Sequence, residues 1–144
     1  MAKKFVPSIL KLMNNDTMQW YDALTKPSWT PSSSVIGTIW TLLYPIIIGV
    51  NIYVWILYTR KEISFAVLLP FIINVVANIA FTPIQFGLRS LVGAAACILI
   101  VWATIIWSMA AIWPHNRIVA FLFIPYLLWV SLASVLQLSI TSSN

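Results

Sequence analysis

The sequence has very few residues that can ionise. Its 144 residues include eight Lys or Arg, three Asp or Glu and one His, whereas 61% are hydrophobic. All of these ionisable residues lie outside four long apolar runs: 35–58, 65–87, 91–113 and 118–140. A water-soluble fold could not cover so much apolar surface. The sequence therefore predicts an integral membrane protein with lipid as its surroundings.

The same scarcity argues against most kinds of active site. His115 lies in a turn and Cys97 inside the third run, so the topology separates them and predicts neither a metal site nor a Ser/His/Asp triad. No ionisable residue lies at membrane depth, where an ion-coupled transporter usually keeps one. The four glycines are scattered and form no phosphate-binding loop. We expect no catalytic residue, no metal and no required cofactor.

Each charge-free run is long enough to cross a bilayer as a helix. At ~1.5 Å per residue, such a run gives ~35 Å of helix, against a hydrocarbon core of ~30 Å. Continuous apolar runs without alternation favour helices over a barrel. Because the connecting turns are short, neighbours should pack antiparallel. The sequence predicts one membrane domain, residues 1–144, an all-α compact antiparallel bundle of four transmembrane helices.

The N-terminal segment and the loop charges predict the orientation. Residues 1–19 contain too short an apolar stretch to span, so we expect them to lie at the membrane interface. Four spans put both termini on one face, which carries five Lys or Arg against three on the other. The positive-inside rule then predicts cytoplasmic termini. Since the basic residues are divided between two faces, we expect no nucleic-acid partner.

Aromatic and amide side chains lie deep in the spans. Trp40, Asn78 and Trp129 come from three different spans but fall in the same half of the bilayer. Helical spacing aligns two stripes, of which the first is Trp40, Tyr44, Ile48, Asn51 and Trp55, and the second is Phe71, Asn74, Asn78, Thr82 and Gln85. Amides are costly in lipid, so the second stripe should face the bundle interior or a cavity. Interhelical hydrogen bonds and a ligand pocket both remain open interpretations.

Proline and tryptophan positions add two expectations inside the spans. Four prolines interrupt the runs and each frees a backbone carbonyl, which predicts irregular helices around a pocket: Pro45, Pro70, Pro83 and Pro125. Trp102 and Trp129 lie near mid-span, too deep for the aromatic belts at the interfaces. Core packing is the simplest interpretation of these two tryptophans.

Residues 20–31, WYDALTKPSWTP, closely resemble the W-Y-x-x-L-x-K-P-x-W-x-P signature of the translocator protein family, also called tryptophan-rich sensory proteins. Residues 40–44 resemble the W-x-x-L-Y of its second helix. Residues 78–89 resemble the end of its third helix, and residues 125–129 the P-Y-x-x-W of its last. The similarity covers about residues 20–140.

The resemblance implies a bundle that binds porphyrins, sterols and related apolar ligands in a cavity under a lid loop, here residues 20–34. Family members have five spans, so the first would be truncated or replaced by the interfacial segment 1–19. A homodimer through the third span is expected by analogy. The implied ligand-binding residues are Trp40, Asn78 and Trp129, with Tyr21, Pro27, Trp29, Tyr44, Asn74 and Tyr126 as further candidates.

Three departures from the family pattern limit what it implies. Cys97 stands where the family's fourth helix usually has an acidic residue. No Lys or Arg follows Tyr126, so sterol recognition through the family's C-terminal motif is not expected. Ser32 replaces the second proline of a Pro-Pro pair, and a serine there can cap the first spanning helix.

Three functions are compatible with these features. The first is a sensor or translocator that binds a porphyrin or another tetrapyrrole and has no active site. The second is an enzyme that degrades bound porphyrin with light and oxygen, which would place Trp40 or Trp129 near the ring. The third is a structural membrane subunit without a ligand, whose small residues from Gly93 to Cys97 associate helices.

Overall fold

The computed structural model describes Tyr21 and residues 23–144. The predicted interfacial segment, residues 1–19, lies outside the described residues, as does the first residue of the predicted lid loop.

The described residues contain helices, turns and loops but no strand, which confirms the all-α prediction. Four stretches are long and apolar enough to span a membrane: Ser34–Thr59, Phe65–Gly87, Leu91–Ile112 and Arg117–Ser143. The elements in chain order are α1 (Ser33–Thr59), α2 (Phe65–Thr82), a π-helical turn (Pro83–Gly87), α3 (Leu91–Ile112), α4 (Arg117–Leu122) and α5 (Ile124–Ser143). The fourth span therefore consists of α4 and α5 together.

Short polar side chains begin three of these helices. The Ser32 hydroxyl accepts a hydrogen bond from the Val35 backbone N–H at 3.3 Å, which confirms the predicted cap of α1. Ser90 caps α3 in the same way. The Asn116 side chain accepts bonds from two backbone N–H groups at the start of α4. Each cap satisfies backbone donors that would otherwise lack partners at the membrane boundary.

Only two of the four prolines coincide with a change in the helices. Both α1 and α2 continue through their internal prolines, Pro45 and Pro70. At Pro83 the second span becomes a π-helical turn, and α4 ends just before Phe123 and Pro125. A proline removes one backbone donor and crowds the preceding turn. The breaks at Pro83 and just before Pro125 are therefore at the positions where a proline disturbs a helix.

Helices α2, α3 and α5 form the centre of the bundle, and α1 lies at its edge. Only 17% of the most apolar stretch of the first span is buried, against 39–44% in the other three. The buried face of α1 is aliphatic and consists of Leu43, Ile47, Val50, Val54 and Leu57. Tyr44 and Trp55, from the stripe predicted on the first span, instead line an apolar groove of about 600 Å³ between α1 and α2.

Trp102 does not pack in the core, so the core-packing interpretation of this residue is wrong. Its side chain is 38% exposed on the outer face of α3, where the indole N–H donates to the Ser131 hydroxyl of α5 at 3.0 Å. Gly93, near the start of α3, faces inward: a Cβ there would lie 2.8 Å from Cγ2 of Ile84 in the π-helical turn. The glycine thus permits a close contact within the chain.

Candidate ligand-binding cavity

A cavity of about 310 Å³ lies between α1, α2, α3 and α5. Its described lining combines aromatic, aliphatic and neutral polar side chains and contains no charged residue. The aromatic lining residues are Tyr21, Trp40, Tyr44, Phe81, Phe86 and Trp129; the polar ones with amide or aliphatic hydroxyl groups are Asn78, Thr82, Gln85 and Gln137. An apolar hollow with a few neutral polar groups suits a flat, largely apolar molecule.

Two tryptophans from different spans form one wall. The Trp40 ring of α1 lies 6.3 Å from the Trp129 ring of α5, and the planes are nearly perpendicular at 86°. The Tyr44 ring is 5.5 Å from Trp40, one helical turn further along α1. The edge-to-face contact between Trp40 and Trp129 holds both indoles in place, so their faces are positioned before a ligand arrives.

Beside this wall, a chain of hydrogen bonds joins all four spans. The Tyr44 hydroxyl of α1 donates to Asn78 Oδ1 of α2 at 2.9 Å, and Asn78 Nδ2 donates to the Tyr126 hydroxyl of α5 at 2.6 Å. Tyr126 donates in turn to Asn74 Oδ1 at 3.1 Å, and Asn74 Nδ2 donates to the Thr104 hydroxyl of α3 at 3.0 Å. Asn74 and Asn78 of the second stripe are therefore interhelical partners, and Asn78 also lines the cavity.

The loop before α1 contributes Tyr21 to the lining of the cavity. This side chain is buried and packs against Phe86 of the π-helical turn at 5.7 Å between ring centroids. The Lys26 ammonium donates to the Tyr21 carbonyl at 2.8 Å and lies over the Tyr21 ring. Further along, Asn144 exchanges two hydrogen bonds with the Thr25 backbone. These bonds fasten the loop to the C-terminal end of α5.

The structure brings five of the nine predicted ligand-binding residues to the cavity: Tyr21, Trp40, Tyr44, Asn78 and Trp129. Asn74 and Tyr126 lie beside it, fully buried in the hydrogen-bond chain. Pro27 and Trp29 lie in the loop outside the lining, and the Trp29 side chain is 47% exposed. The cavity also uses Gln85 and Gln137, which were not among these nine. Gln85 belongs to the second predicted stripe, whereas Gln137 is an amide inside an apolar run, a signal that could have identified it.

The chain matches the model of the TspO/MBR family over residues 4–142. It is 36% identical over 126 residues to the tryptophan-rich protein TspO of Bacillus cereus, covering 87% of this chain and 80% of that protein. It is 29% identical over 125 residues to protein CrtK of Rhodobacter capsulatus, covering 87% and 78%. It is 27% identical over 137 residues to the human translocator protein, covering 93% and 80%. This chain therefore belongs to the TspO/MBR family.

Proposed function

We propose that the protein binds a porphyrin or a similar tetrapyrrole in the inner cavity and acts as a sensor or translocator in the membrane. The observation that carries this proposal is the pair of indoles, Trp40 and Trp129, fixed on one wall of an uncharged hollow under Tyr21. Flat aromatic faces stack on a macrocycle, and the neighbouring Asn78 amide offers one polar edge. The names of the relatives, sensory and translocator protein, are consistent with this role.

The size of the cavity constrains how a macrocycle would sit. Its volume of about 310 Å³ is at the small end of ligand pockets, which run from ~300 to ~1,000 Å³. The groove between α1 and α2 adjoins it, and Tyr44 and Asn78 line both hollows. We therefore expect a bound ring to extend past the hydrogen bond between these two side chains, toward the groove.

Titration of protoporphyrin into the purified protein in nanodiscs tests the proposal. We expect quenching of tryptophan fluorescence that saturates near one porphyrin per chain, because the macrocycle would lie against two indoles. Empty nanodiscs give the signal from partition into lipid. Quenching that rises without saturation, as in the empty discs, would leave only the membrane-scaffold interpretation.

We also predict the side of the membrane on which the termini lie and the way in which two chains associate. Cytoplasmic termini follow from the distribution of Lys and Arg over the loops. A homodimer through the third span follows from the family resemblance. Inward-facing Gly93 belongs to the internal packing of α3, so such a contact would use the outer residues of that helix.

A further inference from the structure

The groove between α1 and α2 opens away from the centre of the bundle. Its aliphatic lining includes Ile48, Ile52 and Ile79, and each of these side chains is more than half exposed. All three belong to the middle of spanning helices, where the surroundings of the bundle are lipid. The groove is therefore a recess in the lipid-facing surface, distinct from the inner cavity.

Each polar side chain in the lining of this groove makes a hydrogen bond within the protein. Tyr44 and Asn78 are joined to each other at 2.9 Å. The Asn51 amide donates at 2.7 Å, and the Thr59 hydroxyl at 2.9 Å, to a backbone carbonyl of their own helix. The groove thus offers an occupant mainly apolar contacts, which suits a hydrocarbon chain better than a polar molecule.

The dimensions of the groove match one acyl chain. Its lining on α1 extends from Tyr44 to Thr59, which is ~22 Å of helix and exceeds one leaflet of a ~30 Å hydrocarbon core. Over that length, a volume of about 600 Å³ gives an average cross-section of roughly 27 Å². A helix with its side chains is ~10–12 Å wide and needs at least about three times that area. The groove is therefore too narrow to enclose another helix.

Two basic residues follow the end of the groove that lies at the membrane boundary. Thr59 is the last residue of α1, and the exposed Arg60 and Lys61 come directly after it. The chain turns sharply here, because Lys61 has a left-handed φ of 62°. Since Glu62 is next, this turn has one net positive charge. Lys and Arg at this level of the membrane attract lipid headgroups that carry net negative charge.

We propose that this groove is a phospholipid site, in which one acyl chain lies along Ile48 and Ile52 and the phosphate meets Arg60 and Lys61. The inference goes beyond the proposed function and needs no porphyrin. A phosphatidylglycerol headgroup has one net negative charge, whereas a phosphatidylcholine headgroup has none. The basic turn therefore favours phosphatidylglycerol.

A phosphatidylglycerol with a photoreactive diazirine in the middle of one acyl chain tests the inference. The whole protein is placed in phosphatidylcholine nanodiscs with a small fraction of this probe and without porphyrin. After illumination and digestion, mass spectrometry identifies the labelled residues. We expect residues 48–56 and 75–79 to be labelled about fivefold more than the outer faces of α3 and α5, because the basic turn and the groove retain the probe.

Ile52→Trp fills the groove with an indole, so labelling there should fall to the level of the outer faces. Ile79→Trp fills the groove from α2 and should have the same effect, which keeps the test valid if one variant fails to fold. Ile100→Trp is the matched control, because it places the same indole on an exposed isoleucine of α3 outside both hollows. It should leave labelling of the groove unchanged.

Arg60→Gln tests the contact with the phosphate. We expect labelling of the groove by the phosphatidylglycerol probe to fall about threefold, and labelling by a phosphatidylcholine probe to change by less than about twofold. Arg117→Gln is the control, since the turn before α4 lies on the same face of the membrane and Arg117 stacks over Trp113 instead. It should leave both probes unaffected.

Labelling spread evenly over the groove and the outer faces would overturn the inference, as would labelling of the groove that survives both Ile52→Trp and Ile79→Trp. Equal effects of Arg60→Gln and Arg117→Gln would show that the probe follows the general charge of that membrane face. This result would overturn the assignment of the phosphate to the turn after α1.

Discussion

Trp129→Ala is expected to weaken protoporphyrin binding by at least about tenfold. The substitution removes the indole face from the cavity wall, and it also removes the ring that packs edge-to-face against Trp40. An aromatic contact of this kind contributes about 0.5–1.5 kcal/mol beyond its area, and the buried area of the ring adds to that. The porphyrin absorption band is the suitable readout, because the variant has one fluorophore fewer.

Trp107→Ala is the control for this experiment. Trp107 belongs to α3, is 44% exposed and does not line the cavity, so its loss should leave porphyrin affinity within about twofold of the wild type, well under 1.4 kcal/mol. Equal weakening in both variants would mean that porphyrin binds to the lipid-facing surface or that any lost tryptophan disturbs the bundle. Either result would contradict a site at the Trp129 wall.

Tyr126→Ala is expected to produce the largest loss of stability, about 3–5 kcal/mol of unfolding free energy. The Tyr126 side chain is fully buried, and its ring packs against Trp40 and Phe123. Its hydroxyl accepts from Asn78 and donates to Asn74, which joins α2 to α5. Removing the ring leaves a cavity, and removing the hydroxyl leaves two amides of α2 without one partner each.

Tyr126→Phe separates these two contributions because it keeps the ring and removes only the hydroxyl. Interhelical hydrogen bonds in membranes average ~0.6 kcal/mol, so the loss of two should cost about 1–2 kcal/mol. Unfolding in mixed micelles, followed by far-UV circular dichroism, measures both variants. If Tyr126→Phe costs as much as Tyr126→Ala, the hydrogen-bond chain holds the spans together and the packing of the ring does not.

The sequence predicted the spans well because a single physical requirement determines them. A charge at membrane depth is costly, so the four charge-free runs agree, to within three residues at every end, with the four helical stretches that are long and apolar enough to span a membrane. The same reasoning placed the amides of the second span correctly: Asn74, Asn78 and Gln85 are all buried. Family motifs then indicated the tryptophans that form the cavity wall.

Periodicity could not show which apolar face meets lipid and which meets protein. Lipid tails are as apolar as leucine, so a core face and a lipid face have nearly the same composition. For this reason the sequence did not show that the stripe of α1 lines the groove, or that Trp102 lies on the outer face of α3.

The position of a bound ring is the most direct measurement of the central claim. Zinc protoporphyrin carries an atom with a strong anomalous signal, so a crystal structure of the complex would locate the macrocycle independently of the protein density. We predict one peak per chain, between the Trp40 and Trp129 rings and the Tyr44–Asn78 hydrogen bond. A peak on the outer surface of α3 or α5, with the inner cavity closed around its own side chains, would contradict the account.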